Sequence, residues 1–229
     1  MKHCLIIFAK EPKKGKVKTR LQEYLTNLKC LNLYKAFLRD TLDLVKKVSC
    51  EYKILAYDSN DKTPTYLKKV APNYMFYKQK GDDLGQRLYN AFRFANDNGA
   101  SKIVIIGSDS PNLPPSSINE AFSLLGHCDL VLGPSLDGGY YLIGLKVTCF
   151  GLFKDIKWSS PTVFQETINR AKKLKLKVAS LDKGYDIDDI KLLLRLQNDL
   201  SKLKNKNIAR WTQKTLNSCN LECARGKIE

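Results

Sequence analysis

The 229-residue sequence is short of long apolar runs, of histidine and of acid. Its apolar stretches, such as Cys4 to Ala9 and Ile103 to Ile106, fall far below the roughly 20 residues that cross a bilayer as a helix. The N-terminal region has neither the longer apolar core nor the small-residue cleavage site of a secretory signal. A membrane-spanning protein is excluded on this reading, and the expected location is the cytoplasm. There are 2 His and 7 Cys, the latter at positions 4, 30, 50, 128, 149, 219 and 223. An odd number at irregular spacing does not make a disulfide scaffold. Cys219 and Cys223 are close, but no second pair completes a zinc site. Repeats, low-complexity tracts and linkers are also missing, so one domain over residues 1–204 is expected. A polar tail, 205–229, follows as a loosely attached helix or partly disordered segment.

Acid is scarce relative to base: 23 Asp and Glu stand against 39 Lys and Arg, a net charge of +16. The excess is uneven. Residues 1–50 carry 12 basic and 4 acidic side chains, 51–150 carry 10 of each, and 151–229 carry 17 and 9. A solvated Lys-rich surface and the attraction of anionic ligands, nucleotide phosphates or nucleic acid both fit. Nucleic acid is the weaker of these, because the middle hundred residues are neutral and no nucleic-acid module is visible.

Hydrophobic residues make up 43% of the chain and charged ones 27%, a globular balance. Short apolar runs alternate with helix-period patterns. Strands are predicted at Cys4 to Ala9, Tyr52 to Tyr57, Tyr74 to Tyr77, Lys102 to Gly107, Leu130 to Gly133, Tyr140 to Leu145 and Lys177 to Leu181. Helices are predicted at Leu31 to Val48, Lys62 to Val70, Leu84 to Asn98, Pro115 to Leu125, Pro161 to Leu174 and Ile187 to Leu203. Such alternation implies an α/β fold, a mainly parallel sheet with helices on both faces, and a ligand site at the carboxyl ends of the strands.

Four segments carry candidate chemistry. After the first strand, six Lys or Arg fall between Lys10 and Leu21 around Gly15, with Thr19 where a helix could begin. A cationic loop leading to a helix N-terminus suits a pyrophosphate or triphosphate. It is not a Walker loop: position 10 is Lys rather than Gly, and position 17 is Val rather than Ser or Thr. The apolar strand at 103–106 runs into Gly107-Ser108-Asp109, where Asp109 is placed either to bind a divalent cation or to form an Asx turn. Asp137-Gly138-Gly139-Tyr140 permits a close backbone approach to a ligand, or a plain hairpin turn. In Tyr185-Asp186-Ile187-Asp188-Asp189, Asp189 reads as a helix cap, while Asp186 and Asp188, two apart, share one side of an extended segment.

The segments FAKEPKKGKVKTRL, GDDLGQRL, IIGSDSPNLP, LGPSLDGGYYLIGL and YDIDDIKLL occur in that order. Together they resemble a glycosyltransferase A-like (GT-A) family often labelled radical-SAM/selenodomain-associated transferase 1, related to the molybdenum-cofactor and 2-phospho-lactate guanylyltransferases. The resemblance covers roughly residues 3–200. It implies a three-layer αβα sandwich like that of nucleotide-diphospho-sugar transferases. The implied reaction is metal-dependent transfer of a nucleotidyl or glycosyl group, from an NTP or nucleotide-sugar to a small acceptor, with Mg²⁺ or Mn²⁺. By position, Lys10, Lys18 and Arg20 would contact phosphates as catalytic residues, with Asp137 as a possible base. Ala9, Lys10, Gly15, Lys18, Thr19, Arg20, Gly81, Asp82, Leu84, Arg87 and Ser108 would bind the nucleotide. Gly138, Gly139 and Tyr140 would line the acceptor pocket. Asp109 would be the main metal ligand. Because its motif is Asp-Ser-Pro, a second carboxylate, Asp186 or Asp188, must come from elsewhere. A basic nucleic-acid-binding protein and a catalytically inactive GT-A-like partner module are the alternatives.

Overall fold

The computed structural model describes residues 2–61, 63–146, 148–205, 207–219 and 221. Seven strands form one sheet: β1 (His3–Lys10), β2 (Tyr52–Asp58), β3 (Met75–Lys78), β4 (Lys102–Gly107), β5 (Leu130–Pro134), β6 (Tyr140–Leu145) and β7 (Val178–Ser180). Their spatial order is β3-β2-β1-β4-β6-β5-β7, and β6 alone runs antiparallel to its neighbours. The α/β expectation of a mainly parallel sheet between helices therefore holds.

The strand sequences explain their burial. In β1, Leu5, Ile7 and Ala9 enter one core cluster, while Cys4 and Ile6 enter the other. Successive strand side chains point to opposite faces, so a strand covered on both sides must be apolar throughout. One face is covered by α1 (Asn27–Val45), α2 (Thr65–Val70) and α4 (Pro115–Leu124), which supply Leu38, Leu42, Leu67, Ile118 and Phe122. The other is covered by α3 (Leu84–Asp97) and α5 (Val163–Lys173), through Leu88, Phe92 and Ala171.

A third core lies beyond the sheet. The amino-terminal part of α1 packs Leu33 and Phe37 against Ile190, Leu193 and Leu196 of α6 (Ile190–Lys202) and Leu216 of α7 (Arg210–Asn217). Here the tail differs from expectation. Asp40 of α1 accepts from the Trp211 and Thr212 amides at 3.0 and 2.7 Å, and from the Thr212 hydroxyl at 2.6 Å. It satisfies amides in the first turn of α7, which have no partner within their own helix. Leu216, Cys219 and Leu221 are buried, so residues 207–219 are fastened to the body. Cys223 and the rest of 222–229 lie outside the described residues.

Candidate active site

β1 sits between β2 and β4, at the point where the chain, having built the sheet outward on one side, returns to build it on the other. Such a switch point leaves a crevice at the carboxyl strand ends. A cleft of about 410 Å³ opens there, lined by Phe8 to Lys10, Lys16 to Arg20, Tyr34, Gln79, Leu84 and Leu88, by Ile105 to Asp109, by Tyr140 to Ile143, and by Asp188.

The cationic loop is held in one shape. The Lys16 amide donates to the Lys13 carbonyl at 3.0 Å, and Gly15 has φ +76°. Lys18 has φ 49° and ψ 46°, a left-handed conformation, and precedes a 3₁₀ turn over Thr19–Glu23. That conformation is uncommon for a residue with a Cβ. It accompanies an inward course of the side chain, which is only 4% exposed. Lys18 Nζ donates to the Ile187 carbonyl at 2.7 Å and to Asp188 Oδ1 at 3.3 Å. It also lies 2.6 Å from Asp109 Oδ1. This last contact is ionic without hydrogen-bond alignment, so Asp109 Oδ1 is a buried oxygen with no aligned donor. Arg20 approaches Asp188 Oδ2 at 3.8 Å from the surface.

Asp109 and Asp188 are joined by backbone as well as by Lys18. The Ile187 amide donates to the Asp109 carbonyl at 3.0 Å, and Ser110 Oγ donates to the Tyr185 carbonyl at 3.2 Å. The Ser110 hydroxyl proton is shared with the Asp186 carboxyl, which is part-buried and outside the cleft lining. Burial pushes the Asp186 pKa up to about 6; nearby Asp109, Asp188 and Asp137 add to the rise, and the Ser110 hydrogen bond opposes it.

Several expected site residues are therefore together: Ala9, Lys10, Lys18, Thr19, Arg20, Leu84, Ser108, Asp109, Tyr140 and Asp188 line one cleft. Others do not line it, for identifiable reasons. Gly15 makes the turn that shapes the loop. The Gly81 carbonyl accepts from Arg87 Nε at 3.1 Å, and Arg87 Nη1 reaches Asp58 Oδ2 at 3.4 Å, so this pair braces the entry to α3. The Asp82 amide donates to Gln86 Oε1 at 3.2 Å in the cap of the same helix. Asp137 Oδ1 accepts from the Gly139 amide at 3.0 Å, the turn alternative rather than a base aimed at the cleft. Gly138 has φ +87°, and a Cβ there would stand 2.0 Å from the Pro161 carbonyl oxygen; its close approach is to the chain before α5, not to a ligand. Asp186 faces Ser110. Asp189 caps α6 by accepting from the Leu192 amide at 2.8 Å, as its position suggests.

Tyr34 and Gln79 are cleft residues that sequence reasoning missed. The Tyr34 hydroxyl takes the Lys10 amide at 2.7 Å, contacts the Lys10 carbonyl at 3.2 Å and sits 3.2 Å from Ser108 Oγ. It ties the ends of β1 and β4 together, and burial pushes its pKa up. Gln79 Nε2 donates to the Ala56 carbonyl at 2.9 Å, fixing its amide beside the cleft. Tyr34 reads as one more apolar-face residue of α1, and no motif marks Gln79.

A divalent cation is tested best against the orphan oxygen. Asp109 Oδ1, Asp188 Oδ1 and the Ile187 carbonyl are hard oxygen donors of the type that bind Mg²⁺ or Mn²⁺, and all three face one point. That point is held by Lys18 Nζ, and no group of three or more His, Cys, Asp or Glu among the described residues is set to hold a metal. The donor chemistry fits; the geometry is that of an ammonium.

Fold and cleft define a class, the GT-A-like nucleotide-diphospho-sugar transferase fold. A Desulfovibrio desulfuricans G20 protein named a "putative nucleotide-diphospho-sugar transferase" superposes with a TM-score of 0.87 at 32% identity, covering 94% of each chain. A 4-diphosphocytidyl-2C-methyl-D-erythritol synthase from Anaerococcus prevotii DSM 20548 shares the fold at 12% identity, with a TM-score of 0.59 and 88% and 97% of the two chains covered. So does Rv0371C of Mycobacterium tuberculosis H37Rv, solved as a manganese complex, at 15% identity, a TM-score of 0.55 and 89% and 100% coverage. The chain belongs to the family described as uncharacterized proteins conserved in bacteria (DUF2064), whose model matches residues 41–160. No curated protein matches it. Among the described residues, no helix is long and apolar enough to cross a membrane.

Proposed function

We propose that the protein is a metal-dependent transferase that takes a nucleotide or nucleotide-sugar donor in the β1–β4 cleft and passes a nucleotidyl or glycosyl group to a small acceptor. One observation carries this reading: the cationic loop of Lys10, Lys18 and Arg20 and the carboxylates of Asp109 and Asp188 line a single cleft at the switch point of the sheet. Phosphates need the former and a phosphate-bound divalent cation needs the latter.

In this reading, Lys10, Lys18 and Arg20 hold the donor phosphates. Phe8, Leu84 and Leu88 provide apolar surface for the base, with the Gln79 amide at its edge. Tyr34 keeps the ends of β1 and β4 at fixed spacing. Asp109 and Asp188 would hold Mg²⁺ or Mn²⁺, which supplies charge neutralisation on the phosphates. In nucleotidyl transfer, an acceptor oxygen bonds to the α-phosphorus, the bond to the bridging oxygen of the β-phosphate breaks, and pyrophosphate leaves with the electron pair. Lys18 and Arg20 then oppose the charge that builds on the departing oxygens. An acceptor phosphate is already ionised and needs no base. Asp137 sits in its own turn, so the nucleotidyl branch asks less of this site than glycosyl transfer with an Asp137 base. The catalytic domain of this reading spans residues 1–204, and the donor base is left to the screen of all NTPs. The six described cysteines are free, which supports a reducing compartment such as the cytoplasm.

A thermal-shift screen of NTPs and nucleotide-sugars with Mg²⁺ or Mn²⁺ tests this, since ligand binding to the native state raises stability. The expected result is a metal-dependent shift for a donor, lost in Asp109→Ala. A full panel without any shift contradicts it.

A further inference from the structure

The three oxygens that would suit a cation already surround one. Lys18 Nζ lies 2.6 Å from Asp109 Oδ1, 2.7 Å from the Ile187 carbonyl and 3.3 Å from Asp188 Oδ1. The ammonium is almost wholly withdrawn from solvent and lies 5.4 Å from the centre of the Phe37 ring, which walls one side. We propose that Lys18 is the resident cation of the carboxylate pair in the donor-free protein, and that it blocks a divalent metal until donor phosphates draw its ammonium away. This rests on the reading of the cleft as a nucleotide site, and adds an order of events: donor first or donor with metal, never metal alone.

The charge balance requires such a device. Two half-exposed carboxylates set around one point repel each other, and a cation between them offsets that repulsion. One Lys neutralises half of the pair, with Arg20 at 3.8 Å from Asp188 contributing from the surface. A metal ion entering beside the ammonium would put two cations on the same oxygens at contact distance, where like charges repel. The site therefore holds Lys18 or the metal, not both.

The geometry also makes Lys18 displaceable. Its contact with Asp109 lacks hydrogen-bond alignment. A lysine is a point charge on a flexible stem and can turn its head without moving its backbone. Other phosphate-facing cations of the cleft, Lys10 and Arg20, stand at its rim. A polyphosphate bound there offers Lys18 an anionic alternative, and the vacated oxygens gain a divalent cation in exchange.

The test uses Mn²⁺ alone, on the full chain, in wild type, Lys18→Met, Lys18→Arg and the double variant Lys18→Met/Asp109→Asn. Free Mn²⁺ is counted by electron paramagnetic resonance, and the melting temperature is recorded with and without metal. Wild type and Lys18→Arg should bind Mn²⁺ weakly. Lys18→Met should bind at least tenfold more tightly, melt below wild type without metal and recover part of that loss with Mn²⁺. The double variant should lose the added affinity, which locates the metal on Asp109. Equal or weaker Mn²⁺ binding by Lys18→Met than by wild type would overturn the proposal, as would tight binding that survives the double substitution. Neither result depends on a donor, so failure here is distinct from failure of the nucleotide screen. If Lys18→Met does not fold, Lys18→Gln, which keeps a polar neighbour for the carboxylates without a charge, gives the same comparison.

Discussion

Two carboxylate clusters, a buried one at Asp40 of α1 and a half-exposed one at Asp109 and Asp188, differ in what satisfies them. At Asp40, the partners are two backbone amides and a hydroxyl of α7, none longer than 3.0 Å. At Asp109 and Asp188, the main partner is the end of one flexible lysine, in contacts that range from 2.6 to 3.3 Å, with the exposed Arg20 at 3.8 Å from Asp188. Backbone donors cannot leave without unfolding a helix; an ammonium can. The first cluster is suited to fastening the C-terminal helix, and the second to changing partners when a ligand arrives. The carboxylates are chemically the same, and their function is set by which donors the fold brings to them.

The largest expected effect separates the clusters by activity. Asp109→Ala should lower turnover with the donor found by the screen by at least ~10²-fold, while leaving α7 in place by circular dichroism. The mirror substitution, Asp40→Ala, removes three hydrogen bonds to a buried charge. It should cost roughly 3 kcal/mol of stability, read from urea melts, with donor binding intact at a permissive temperature. Similar losses of donor binding in both variants would dissolve the comparison.

A third prediction concerns pH. Asp186 keeps its proton in the native state up to about pH 6, whereas an unfolded Asp loses it near 3.9. Between these values the native state holds more protons, so stability falls as pH rises through the window. Wild type should lose up to roughly 3 kcal/mol relative to Asp186→Asn between about pH 4 and pH 6 in metal-free buffer. A flat difference would mean that Asp186 is ionised throughout. The smallest effect belongs to the surface: Arg170→Ala breaks the exposed pair with Asp155 and should change stability by less than about 0.5 kcal/mol.

Much of this was legible before the fold was known. β4 and β6 run over Lys102–Gly107 and Tyr140–Leu145 as their apolar patterns indicate, because a strand buried on both faces declares itself by composition. Asp109 stands out because an acid ending such a strand has nowhere to go but the strand-end crevice. What stayed hidden depends on distance along the chain. Lys18 meets Ile187 and Asp188 across about 170 residues, and no local pattern encodes that meeting. Tyr34 was hidden by its own periodicity, since a tyrosine on the apolar stripe of a helix reads as core until its hydroxyl is seen to join two strand ends. The glycines at 81 and 138 pack closely against Gln86 and Pro161, which a sequence pattern does not distinguish from an approach to a ligand. The tail was underread, because its polar composition conceals that Asp40 supplies the cap its first turn lacks.

The most direct test of the central claim is a crystal of the protein grown with Mn²⁺ and the donor from the screen, measured for manganese anomalous scattering. The expected result is a single strong peak between Asp109 and Asp188, with Lys18 Nζ turned onto a donor phosphate. Donor in the cleft with no manganese between these carboxylates, or with Lys18 still lodged between them, would contradict it.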